Sequence, residues 1–578
     1  MKHKIIGSLK NRGLSFGTSE IVGRITGLSL ATMAVAIIAT PAWALNLYDG
    51  SQAGNNLEIN LDTTVSYTGM WRVNSPSSVL AGPGNANGND GDSNLSHGLV
   101  GNLFEALPVF DIRDGSYGAH FSGEFYLNTP YLGTNQNNQP STVNPFTIGK
   151  STDYTSATRN VNGQNARLLD AFFYAGHSFG DGQTVSLKVG RQTLLWGQSL
   201  FFTNNGIAAG QAPIDVVQAQ DLVNPQAQQV FAPVGQAVVT YNTGHNLTLQ
   251  GYYQFEWQPD YLQGVGSYFS TTDILDRGGQ REIVYVNPLS SAYNIYAFRA
   301  HDNRPSSRNG QFGLSAQTAL GNWDLGFYAL RYDSKTPQVY NFYNLAFLEG
   351  QGGVTPTAHG LSAGTYQVVY PRDIGIYGAS FSTNVGPTNV AGEASVRTHM
   401  PLVSGAGPDG AYGIIMPTGT PANASSLVKY AVGDTLHAQA SFVYVSAGIP
   451  LDPGGVTVDG ELEWNHVLSV TENRAALANG RQASAAAFTV VVTPTYYDVL
   501  PNLQVTFPIG ITYNVLGRSE IDTTMQHGTG SFNVGVTGTY KSNWIASLAY
   551  VDYLGKPDTI YNAAADRSYV SLNLQHTF

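Results

Sequence analysis

Apolar and polar residues alternate along several stretches that are long for a soluble strand. Leu57, Ile59, Leu61, Val65, Tyr67 and Trp71 fall on one face, with Glu58, Asn60, Asp62, Thr64, Ser66 and Thr68 on the other. The same period of two returns at 247–257, 503–513, 532–540, 544–550 and 570–578. A period of two is the signature of a strand with unlike environments on its two faces, and about 9–11 residues span a bilayer when tilted. The last stretch closes on an aromatic C-terminal residue, Phe578, with Val570, Leu572, Leu574 and His576 on its face. These patterns predict an all-β transmembrane antiparallel barrel. Pro508 falls inside one of the strands and predicts a bulge or local bend there.

Between the strands, short turns rich in Gly, Asp, Asn and Pro alternate with long loops. The short ones include 113–115, 180–182, 243–246, 321–322, 386–389, 452–455, 498–502 and 541–543. The long ones fall near 73–98, 129–165, 197–232, 259–309, 333–371, 401–433, 469–484, 517–528 and 555–566. Eight turns and nine loops predict eighteen strands, with both termini on the short-turn side, short turns periplasmic and long loops extracellular. Weak alternation near 100–128, 166–193 and 372–384 leaves sixteen as the alternative count.

The N-terminus fits this reading. Lys2, Lys4, Lys10, Arg12 and Arg24 precede an apolar run from Ile25 to Ala39, then Ala42-Trp43-Ala44. That order predicts a signal peptide over 1–44, cleaved after Ala44, and one outer-membrane barrel over 45–578. Composition agrees: 12% charged residues, 65 Gly, 33 Tyr and no cysteine, which excludes disulfides and thiolate chemistry. Removing five basic residues and one acidic from 28 and 39 leaves a mature charge of about −15. Acidic balance argues against nucleic acid and favours cations or neutral solutes over anions.

Three stretches carry a resemblance. Val189-Gly190-Arg191-Gln192 runs into Trp196-Gly197-Gln198-Ser199; Arg304-Pro305 precedes Gly310-Gln311-Phe312-Gly313; Gly460-Glu461-Leu462-Glu463-Trp464-Asn465 follows. In order and spacing they resemble the domain of unknown function 1302 family of proteobacterial outer-membrane proteins. The resemblance implies an outer-membrane location and an association with systems that move hydrophobic or lipid-like compounds. It implies no catalytic residues.

An eighteen-strand barrel is too wide to be filled by its own side chains, so its lumen holds water, inward loops or both. The loop at 197–232 is the candidate constriction, because Phe201, Phe202, Ile207, Ile214 and Val217 stand among polar residues such as Asp215. Alternation points Glu393, Arg397, His399, His437, Asp459, Glu461 and Glu463 into the lumen, as salt bridges that hold the barrel or as a polar ladder that selects solutes. Asp90, Asp92 and Asn94 have the spacing of a calcium loop but lack its glycine and distal Glu, and are read as a solvated loop. Gly197-Gln198-Ser199-Leu200-Phe201 lacks the closing Gly of a nucleophile elbow. No metal, cofactor or catalytic set is expected, and the chain is not read as an enzyme. The expected role is passive passage of small solutes, hydrophobic ones among them, through a barrel set in outer-membrane lipid. The alternative is a loop-plugged barrel serving a periplasmic or inner-membrane transport partner.

Overall fold

The computed structural model describes residues 45–50, 54–275, 277–305, 310–406, 413–421, 428–446 and 454–578. The predicted signal peptide, 1–44, lies outside the described residues. Eighteen strands form the wall: β1 (Leu57–Arg72), β2 (Gly98–Asp114), β3 (Tyr117–Asn128), β4 (Gln164–Gly180), β5 (Gln183–Gln192) and β6 (Val234–Thr243). The next six are β7 (Leu247–Gln254), β8 (Gln311–Leu320), β9 (Trp323–Tyr332), β10 (Ile374–Val385), β11 (Thr388–Pro401) and β12 (Val432–Val445). Then come β13 (Gly455–Glu472), β14 (Ser484–Leu500), β15 (Leu503–Thr506 and Ile509–Leu516), β16 (Gly530–Tyr540), β17 (Trp544–Leu554) and β18 (Tyr569–Thr577). Each strand pairs antiparallel with the next, and β18 returns to β1 from Thr64↔Thr577 to Arg72↔Tyr569, closing the barrel.

Burial is inverted relative to a soluble protein. Phe125, Phe173, Leu314, Phe327, Leu462 and Leu548 are exposed on the outer face, while Thr68, Glu124, Asn533, Ser547 and Asn573 are buried on the inner one. Only lipid makes such an exterior favourable, which places the barrel in the outer membrane. Among the described residues no helix is long and apolar enough to cross a membrane. At the short-turn rim His576 stacks on Trp544 at 4.0 Å, beside Phe578, giving an aromatic edge at the interface. β15 breaks at Phe507-Pro508, where proline has no N–H to give the ladder; the Pro508 carbonyl still accepts from Gly535 N at 2.9 Å.

Three features were not foreseen. Residues Leu45–Asp49 form a strand on the free edge of β1, from Leu45↔Leu61 to Asp49↔Glu58, below the end of β18. The long connections before β8, β10 and β12 build a second sheet of six strands over the extracellular mouth, from Arg281–Tyr285, Ile295–Arg299, Gln338–Tyr343, Thr355–Thr357, Gly360–Val369 and Ile414–Ile415. Its apolar side joins Trp257, Tyr343, Tyr366 and Val368. Finally, Asp90, Asp92 and Asn94 do not sit in a solvated loop. They lie in a buried helical turn (Asp90–Asn94), where Asp92 meets Arg72 at 2.8 Å and Arg567 at 2.8 Å.

Candidate functional site

The connection between β5 and β6, residues 193–233, turns into the lumen and crosses it. One end rests on β11 to β14. Glu461 of β13 accepts backbone N–H groups from Leu200 (3.0 Å), Phe201 and Phe202 (2.9 Å). Glu393 of β11 accepts from Gln198 N (2.5 Å) and Ile207 N (2.8 Å). Arg397 donates to the carbonyls of Asn204 (3.2 Å), Asn205 (2.7 Å) and Gly206 (2.9 Å). His437 Nδ1 shares a hydrogen bond with Asn205 Oδ1 at 2.9 Å. A charged acceptor facing several N–H groups, and a guanidinium facing several carbonyls, fix a main chain far more tightly than apolar packing does. Close approach depends on glycine here. A Cβ on Gly197, whose φ is +101°, or on Gly206 would run into the Glu393 carboxylate.

The other end rests on β2 to β4. Asp215 caps the short helix Val216–Asp221 through Gln218 N at 3.0 Å and pairs with Arg167 of β4, which also holds Glu124 of β3 at 2.5 Å. Gln229 donates to Glu124 at 2.6 Å and to Glu105 of β2. Between the two ends, Ile214 N donates to Asp260 Oδ1 (2.9 Å), and Lys335 Nζ donates to the Gly210 carbonyl (3.1 Å). Burial pushes the Lys335 amine down to about 8, partly offset by Asp260 and Asp333, and it pushes the Asp221 carboxyl up to about 7, against hydrogen bonds from Gln263 and Asn162. Strands β2 to β4 and β11 to β13 stand nine places apart in a ring of eighteen, so the loop spans a diameter.

The apolar side chains of the loop fill what the polar anchors leave. Phe201 and Phe202 pack with Leu200 on Ala485, Ala487 and Val491 of β14 and on Met525. Ile207 and Trp196 join Tyr252, Tyr328, Leu330, Ile374 and Ile376 of β7, β9 and β10. Ile214 packs with Val230 and Phe231, and Val217 is buried. The stretches that carried the resemblance meet here: Trp196-Gly197-Gln198 opens the loop, Glu461 clamps it, and a Cβ on Gly313 would strike the Trp196 and Tyr252 rings.

Of the seven strand residues singled out in the sequence, Glu393, Arg397, His437, Asp459, Glu461 and Glu463 are all buried on the inner face. The first three and Glu461 bind the loop. Asp459 lies one inward position toward the periplasm, opposite Val443 and Val491. Glu463 stands opposite Gln439 and Ala487. His399 is placed elsewhere. The β11–β12 ladder slips between Arg397 and Met400, with φ of +57° at His399, so Met400 turns to the inner cluster and His399 is exposed. Sequence reasoning missed Glu105, Glu124, Arg167, Gln229, Asp260 and Lys335. Glu124 could have been found as the one carboxylate of its strand; Glu105, Arg167 and the rest carry no such signal. Periplasmic to the loop, Asp62, Asp111, His120 and Phe172 line a half-exposed vestibule with Lys188, and Asp111 meets His120 at 2.6 Å.

Comparison with known proteins adds the following. The model of a family described as a protein of unknown function, DUF1302, matches residues 25–578. Nothing matches among curated proteins. Solved structures similar in outline include OccAB2 of Acinetobacter baumannii, at 9% identity and a TM-score of 0.41, covering 90% of this chain and 98% of that one. A BenF-like porin from Pseudomonas fluorescens Pf-5 gives 10% identity, a TM-score of 0.40 and coverage of 90% and 98%. Salmonella typhi OmpF in complex with daunomycin gives 9%, 0.37, 92% and 100%. At these scores the likeness adds nothing to what the strands themselves show.

Proposed function

We propose that this chain, which belongs to the DUF1302 family, is an outer-membrane channel for passive passage of small solutes, with residues 193–233 as a diaphragm across its lumen. One observation carries the reading: the loop is strung between diametrically opposed walls by polar anchors, to its backbone on β11 to β13 and to its Asp215 and Gln229 side chains on β2 to β4, with apolar clusters between them. Polar anchors of this kind exchange for water when a segment moves, so the same contacts that close the lumen permit it to open. The apolar side chains beside the anchors, Phe201 and Phe202 against Ala485 and Val491, offer a track suited to solutes with hydrophobic groups. A second reading has a specific observation behind it. Inner-wall groups at the level of the loop, among them Gln236, Gln254, Glu393 and Thr489, are buried. A barrel that stayed so would bind or hand over a lipid-like compound beside a periplasmic or inner-membrane partner, without an open pore.

Conductance of the mature protein in a planar bilayer, intact and without residues 197–232, separates the two. Stochastic openings of the intact protein, replaced by one steady large conductance after the deletion, support the channel. Silence of the intact protein across voltage and added solutes, with conductance only after deletion, supports the partnered, closed barrel. Silence of both, with the deleted form still folded as a barrel by circular dichroism, overturns the channel.

A further inference from the structure

Few charges stand on the outer face of the wall. Among the described residues, the Lys and Arg side chains of the wall strands alternate inward except for Arg191 and Arg331, which keep step with the exposed Val189 and Phe327. Both stand at the extracellular ends of their strands, β5 and β9. Arg191 is matched one for one by Glu256 at 2.9 Å. Arg331 belongs to a larger group.

At the extracellular ends of β8 to β10, Arg304 and Arg372 join it. Arg331 pairs with Asp373 and donates to the Gly310 carbonyl at 3.3 Å. Arg372 Nη2 donates to two neutral acceptors, Asn303 Oδ1 at 3.2 Å and the Arg304 carbonyl at 3.1 Å. Arg304 shares Asp302 with Arg299, each at 3.1 Å. Asp333, the third acid here, is buried behind the group and accepts from Asp373 N at 3.0 Å. Four guanidiniums thus meet three carboxylates, a local excess of base in a chain of 39 acidic and 28 basic residues. The Arg304 and Arg331 side chains are 54% and 39% exposed, and Arg372 is exposed beside them.

The height of the group on the barrel says what it faces. Trp323, exposed at the other end of β9, marks the periplasmic interface. From 323 to 331 is eight residues, which at about 3.3 Å each and a tilt of about 40° is roughly 20 Å along the membrane normal. A guanidinium reaching outward and up from there enters the headgroup layer above an apolar band of about 25 Å. Directly below lie Tyr253, Phe312, Phe327 and Tyr377, all exposed on the outer face, with Phe312 beside Arg331 in the ladder. Guanidinium forks over an apolar surface suit an amphiphile with a phosphate head, because the planar fork matches phosphate oxygens two at a time.

We propose that Arg304, Arg331 and Arg372 form a docking patch for the phosphate groups of the outer-leaflet glycolipid, whose acyl chains lie along Tyr253, Phe312 and Phe327. The patch rests on the barrel's place in the outer membrane and not on what the lumen conducts.

Native mass spectrometry of the mature protein in detergent tests it, with lipid A and its dephosphorylated form as probes. The parent is expected to retain lipid A and to release the dephosphorylated form. Arg304→Gln with Arg372→Gln, both exposed and safe for folding, should weaken lipid A retention by about fivefold, and adding Arg331→Gln should weaken it further. Arg113→Gln, at the periplasmic end of β2, should leave it unchanged, with heat-modifiable gel migration confirming a folded barrel in every variant. Equal retention of the dephosphorylated lipid, or unaltered retention of lipid A by the folded triple variant, overturns the patch. So does displacement of lipid A by an equal concentration of inorganic phosphate, which would make the group a site for free anions.

Discussion

The two walls that hold the diaphragm use the same residue types for different ends. On β11 to β13, Glu393, Arg397 and Glu461 face main-chain groups, and each meets two or three of them. On β2 to β4, Glu124 and Arg167 face side chains, Asp215 and Gln229, and Arg167 is 19% exposed at its side chain. A carboxylate on backbone N–H groups fixes the path of a chain whatever its sequence. A side-chain pair fixes only its two residues and is open to competition from water and salt. The first wall is a fixed bearing, the second a latch.

The comparison predicts unequal losses. Glu461→Ala is expected to have the largest effect, since three buried N–H groups lose their acceptor at about 1–3 kcal/mol each. Proteolysis at Phe201-Phe202 and open conductance should both rise, while Glu461→Gln retains part of the closure; a fully silent, protease-resistant Ala variant would undo the distinction. Arg167→Met comes next, at roughly 3–5 kcal/mol, because it strands Glu124 and Asp215. Its defect should grow with pH and be partly relieved by a second change, Asp215→Asn; bilayer recordings and melting curves check both.

A smaller, pH-dependent effect concerns Asp221, on the latch half of the loop. Its carboxyl is raised to about 7 in the fold, above the 3.8 of the free group, so the folded state holds the proton more tightly. Stability contributed by that proton is full below about pH 4 and is lost as pH climbs to about 7. Lys335, lowered to about 8, adds a cost below that value that fades as pH rises toward 10.5. Melting temperature against pH should fall between 4 and 7, and Asp221→Asn should flatten that fall and stabilise the protein at pH 8. Smallest of all, Asp62→Asn with Asp111→Asn in the vestibule should lower cation preference less than twofold in reversal-potential measurements, with no change in closure.

Much of the barrel was legible because lipid enforces a period of two that nothing local can override. Seven of the tight turns, the direction of Glu461 and Glu393, and the break at Pro508 follow from single positions, while the turn predicted at 452–455 falls largely outside the described residues. What defeats the reading is any feature that trades alternation for a contact made elsewhere. His399 leaves its face because one extra residue enters the ladder, and no residue type there announces a bulge. The extracellular sheet is assembled from strands of three separate loops, and all of them but Gly360–Val369 are too brief to show periodicity. The apolar content of 197–232 marked the loop, but Phe202 against Ala485 joins positions hundreds of residues and half a circumference apart, and Gln229 against Glu105 joins positions 124 residues apart.

A closed sheet is a hoop, stiff along its strands and soft against flattening, since ovalising it only bends the ladder between neighbours. The segment from Gln198 to Gln229 is a spoke set across that hoop, tied at Glu461 and Glu393 on one side and at Arg167 and Glu124 on the other. Lateral pressure from the surrounding lipid is then carried through the spoke as well as around the rim. On the proposed reading, freeing the spoke would open a path and slacken the hoop in one event, which would make passage through this barrel and the roundness of its cross-section the same variable.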